Sequence, residues 1–104
     1  MDALQQLIYE RNCMKAQLKE KYSELNISHL QAEELLNYII QLENIIKDAD
    51  ENEDEHENLT IILEQKRSQY ENLQLMTNML CMEISLMEIN IGDIERSIDK
   101  LKRQ

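Results

Sequence analysis

Seven carboxylates fall within residues 48–57, namely Asp48, Asp50, Glu51, Glu53, Asp54, Glu55 and Glu57, with no basic residue after Lys47. Such a run would bind divalent cations if its spacing matched a coordination loop. Asp50-x-Asn52-x-Asp54 opens like a calcium loop, which needs Gly at its sixth position and a bidentate Glu at its twelfth. Glu55 and Ile61 stand there instead, so a solvated acidic segment is expected. His56-Glu57 begins the zinc-protease helix motif, but Thr60 occupies the place of the second His. His29 and His56 have no Cys or His at ligand spacing, so no metal site is expected. Cys13 and Cys81 are read as free thiols of a reducing compartment. No phosphate-binding glycine loop and no nucleophile–base pair appears, so neither a catalytic residue nor a cofactor or small-molecule substrate is expected.

The elements that carry these residues follow from composition and periodicity. The 104 residues include no Pro, Phe or Trp and one Gly, which removes the usual punctuation of sheets and loops. Leu, Ile, Glu, Gln, Lys and Asn dominate, as in long helices. From residue 4 to 49 one heptad runs unbroken. Its a positions are Leu4, Arg11, Leu18, Leu25, Ala32, Ile39 and Ile46; its d positions are Leu7, Met14, Lys21, Ser28, Leu35, Leu42 and Ala49. Lys21 and Ser28 weaken the centre, where the adjacent e positions Ile8, Tyr22 and Leu36 are expected to widen the stripe. A second heptad runs from 59 to 101. Leu63, Tyr70, Thr77, Ile84, Ile91 and Ile98 are its a series; Leu59, Lys66, Leu73, Leu80, Met87, Ile94 and Leu101 are its d series. The two phases differ, and the break falls inside the acidic run.

The break predicts an all-α fold, a long antiparallel helical hairpin of coiled-coil type within a multi-helix bundle. Its parts are helix one over 1–49, an acidic turn over 50–55 and helix two over 56–104. The alternative is one continuous coiled-coil rod. Like charges at helical spacing repel, and these acids oppose the negative end of helix one while favouring the start of helix two. The hairpin pairs Leu4 with Leu101, Met14 with Ile91, Leu25 with Leu80, Leu42 with Leu63 and Ile46 with Leu59. It also sets Ser28 opposite Thr77, matching two small hydroxyl residues. The layers holding Arg11, Lys21 and Lys66 require their cations to snorkel outward.

A second apolar stripe lies on helix two at Leu75, Met79, Met82, Leu86 and Ile89, and helix one has an excess at Tyr38, Ile40 and Ile45. A helix apolar on more than one face belongs inside a bundle. These eight residues are the expected partner-binding surface. The Met-rich segment 75–88 suits either gap-filling in a bundle or an adaptable binding face.

Net charge is −10, yet setting aside the seven acids of 48–57 leaves 14 acidic against 11 basic residues. Without a basic face, no nucleic-acid partner is expected. Arg96, Lys100, Lys102 and Arg103 suit a helix C-terminus. Residues 1–12 show neither a basic start nor an apolar run, and no stretch of about 18 apolar residues occurs, so neither a signal peptide nor membrane insertion is expected. The sequence-level reading is a non-catalytic coiled-coil structural subunit or adaptor, cytoplasmic or nuclear, packing against other α-helical subunits in a hetero-complex or homo-oligomer. The alternative is a small helical-hairpin chaperone or assembly cofactor that binds a protein client. Helical hairpins of this length occur in prefoldin-type chaperone subunits and in kinetochore, spindle and vesicle-tethering assemblies, an analogy of shape alone.

Overall fold

The computed structural model describes residues 2–49 and 54–104. They form two helices, α1 over Ala3–Asp48 and α2 over Asp54–Lys102, which make an antiparallel helical hairpin. A continuous rod is thereby excluded. Of the expected turn, residues 50–53 lie outside the described residues. Asp54 and Glu55, placed in the turn by sequence, instead open α2 together with Glu57. Carboxylates at a helix start meet its positive dipole end, which explains why the helix reaches further into the acidic run. Lys47 closes α1 and Lys100 and Lys102 close α2, matching cations to the negative ends.

The start of α1 has a cap that the heptad reading did not name. The Gln5 backbone N–H donates to Asp2 Oδ1 at 2.7 Å, and the Gln6 N–H donates to the Asp2 carbonyl at 3.0 Å. The Asp2 side chain thus satisfies the Gln5 donor, which the first turn leaves without an intrahelical partner, while its carbonyl accepts the first helical bond from Gln6. Its sequence signal was Asp2-x-x-Gln5, a capping pattern.

Two compact units make up the chain, one of residues 1–26 with 79–104 and the other of residues 27–78. In the second, Ile39, Leu42 and Leu63 are buried, with Leu35, Ile46, Leu59, Ile62 and Tyr70 packed against them. In the first, Ile84, Ile91 and Ile98 are buried, and Ile98 is only 2% exposed. All the a and d positions named above are buried or half-buried in both helices. The expected widening at e holds for Ile8, which is half-buried, and fails for Tyr22 and Leu36, which are exposed. With only two helices, the e edge borders solvent, so a large side chain there gains cover from one side alone.

The polar layers behave as their chemistry requires. Ser28 Oγ lies 2.5 Å from Thr77 Oγ1, and Thr77 in turn donates to the Leu73 carbonyl at 2.8 Å. That second bond uses the Thr77 proton, so Ser28 is the donor between the hydroxyls. The three cationic layers snorkel. Lys21 Nζ reaches Glu83 at 3.1 Å, Lys66 Nζ stands 5.6 Å from the Tyr38 ring centroid, and Arg11 donates to Asn12 Oδ1 at 3.3 Å.

Candidate interaction surfaces

In a two-helix coiled coil the c and f positions point away from the seam, and charged residues normally occupy them. In α2 this outward row includes Ile61, Leu75, Met79, Met82, Leu86 and Ile89. Between Asn58 and Ile89 none of its positions is Asp, Glu, Lys or Arg. Within residues 79–104, Met79, Met82, Leu86 and Ile89 are each 59–67% exposed. Beside them, Cys81, Met82, Ser85 and Leu86 line a shallow apolar depression.

The remaining predicted surface residues belong to the 27–78 unit. Leu75 is exposed there, as are Tyr38, Ile40 and Ile45 on α1. Tyr38 is partly engaged, since Lys66 covers its ring. The structure adds exposed Ile27, Leu30 and Ile61 to this unit and Tyr9 to the other, none of which the sequence singled out as a surface, and it exposes Met76 of the Met-rich segment. Ile27 and Leu30 occupy c and f of α1, so the outward-face signal was present but only one turn long.

Charged residues line the edges of the seam instead. Lys15 pairs with Glu95 at 2.9 Å and Glu43 with Arg67 at 3.0 Å, while the Tyr22 hydroxyl donates to Glu88. All three pairs link e positions of the two helices. The hydrogen bond and charge of Lys15 hold the Glu95 carboxyl below its usual range. Glu83, by hydrogen bonding, and Glu24, by its charge, raise Lys21, and the hydrogen bond to Glu88 raises the Tyr22 phenol. These groups are solvated, so the pairs fix register more than they stabilise.

Cys13 and Cys81 are both exposed free thiols. Among the described residues, no cluster of three His, Cys, Asp or Glu side chains is placed to hold a metal ion. No helix among them is long and apolar enough to cross a membrane. Comparison with protein-family models, curated proteins and solved structures returns no match, so the reading of function rests on these surfaces.

Proposed function

We propose that this chain is a non-catalytic structural subunit or adaptor that assembles by helix packing into a larger intracellular protein complex. The observation that supports this is the uncharged outward row of α2. A hairpin that works alone in water has every reason to place charge at those positions. From Leu75 to Ile89 large apolar side chains stand there instead, which is the pattern of a face covered by further helices. Burying Met79, Met82, Leu86 and Ile89 would contribute about 1.5–3 kcal/mol each, before the costs of association.

The test is the double substitution Met82→Glu with Leu86→Glu. Both side chains are exposed and remote from the seam, so helical content is expected to match the wild type by circular dichroism. Recovery of co-purifying partners from the native cell should fall to background. Wild-type recovery would remove this row as the interface.

The three exposed methionines Met76, Met79 and Met82 favour one other reading, a hairpin chaperone with an adaptable client-binding face. A subunit is expected to be poorly soluble alone and rescued by co-expression with its partner. A chaperone is expected to be monodisperse alone and to bind its client reversibly.

A further inference from the structure

The 27–78 unit has a groove unlike the outward row of α2, formed where the end of α1 lies beside the start of α2. Ile45, Asp48, Ala49, Glu55 and Leu59 line it. Its lining combines apolar Ile45, Ala49 and Leu59 with the exposed carboxylates Asp48 and Glu55. Ile45 is 53% exposed although it lies within a turn of the buried Leu42. Among the described residues, no Lys or Arg lines the groove.

The surrounding charge is strongly one-sided. Residues 27–78 hold 12 acidic against 3 basic residues, a net of −9, whereas residues 1–26 with 79–104 hold 9 against 8, a net of −1. Of the three cations, Arg67 is paired with Glu43 and Lys66 lies over Tyr38. The carbonyl end of α1 adds negative potential beside Asp48, while the positive end of α2 meets Glu55, so the excess carboxylates rather than the helix ends set the sign.

We propose that this groove docks a cationic amphipathic helix of a partner protein. Its apolar side chain would cover Ile45, Ala49 and Leu59, and its Lys or Arg residues would meet Asp48 and Glu55. Charge selects this occupant over a second copy docking through the same unit. Such a copy would bring its own net −9 against this one, and like charges across an interface oppose docking. A basic helix gains both burial and pairing, the recognition mode in which an amphipathic helix lies in a groove. The proposal does not depend on the outward row of α2, because no groove residue belongs to that row.

Three 18-residue synthetic peptides test it against the full chain. One places Leu at helical 3–4 spacing among Lys, the second scrambles that composition, and the third replaces every Lys with Glu. Titration followed by amide NMR should shift residues 45–49 and 54–59 with the first peptide only. Ile45→Asn should weaken that binding about tenfold, the loss expected for one apolar side chain. Asp48→Asn with Glu55→Gln should weaken it about fivefold, as for exposed ion pairs. Met82→Glu should leave it unchanged. Equal binding of the scrambled peptide would overturn the proposal, since charge alone would then account for adhesion. Shifts confined to residues 79–89 would overturn it as well. So would shifts at 45–59 that grow with protein concentration without peptide, which would make a second copy the occupant.

Discussion

Ser28 and Thr77 show how a single polar layer settles register. Two hydroxyls that meet across a seam give the Ser28 proton an acceptor, whereas a slip of one heptad would set them against Ile84 and Leu35 in one direction or Tyr70 and Lys21 in the other. Thr77 also donates to Leu73 within its own helix, so Ser28 depends on Thr77 more than the reverse. Thr77→Val is therefore expected to cost about 1 kcal/mol by leaving the Ser28 donor unmatched in a half-buried site. Ser28→Ala should cost less, because Thr77 keeps its bond to the Leu73 carbonyl. The double substitution should be milder than the sum of the two, with a coupling of about 0.5–1 kcal/mol in urea denaturation. Additive losses would mean that the hydroxyls do not interact in solution.

At the scale of the helix, Gly92 is the residue that local rules least explain. It lies inside α2, no glycine has positive φ, and a Cβ there would meet only the tip of Arg96 at 3.9 Å. Nothing among the described residues requires glycine, and glycine costs backbone entropy in a helix. Gly92→Ala is expected to stabilise the isolated chain by about 0.5–1 kcal/mol, read as a raised denaturation midpoint. A lowered midpoint would show a constraint at 92 that the helix geometry does not contain. Much of this helix was legible in the sequence, since a strict heptad leaves the a and d rows little freedom and the acidic run breaks the phase. The cation layers were legible too, because Lys and Arg must leave an apolar seam whatever their neighbours. Tyr22 and Leu36 were misjudged for a different reason. Their exposure depends on how many helices meet at the e edge, and periodicity does not count helices. The tip groove was not legible either, since it takes Ile45 and Leu59 from two heptads of different phase to line it. Of the outward row, the residues were readable but their exposure was not, because the c and f positions of a bundle and of a lone hairpin share the same spacing.

At the scale of the molecule, charge divides as unevenly as the surfaces do. The net −9 of residues 27–78 opposes their own folding through repulsion, while residues 1–26 with 79–104 are close to neutral. Salt acts on these two situations in opposite directions. At about 0.01 M the screening length is roughly 30 Å, and at 0.15 M it shrinks to about 8 Å. Raising salt over that range should relieve repulsion among Glu33, Glu34, Asp48, Asp54, Glu55, Glu57 and Glu64. In the near-neutral unit it should only weaken exposed pairs such as Lys15 with Glu95 and Lys21 with Glu83. Amide hydrogen exchange is therefore expected to slow in residues 27–49 and 54–78 as salt rises, and to stay level or quicken slightly in the other set. A uniform response along the chain would mean that the acidic run is screened by its own hydration, leaving the apolar seam alone to determine protection. If the contrast is observed, a cationic partner helix should reproduce the effect of salt on the acidic unit at low ionic strength. Neutralising the carboxylates beside Ile45 and shielding them with counterions relieve the same repulsion.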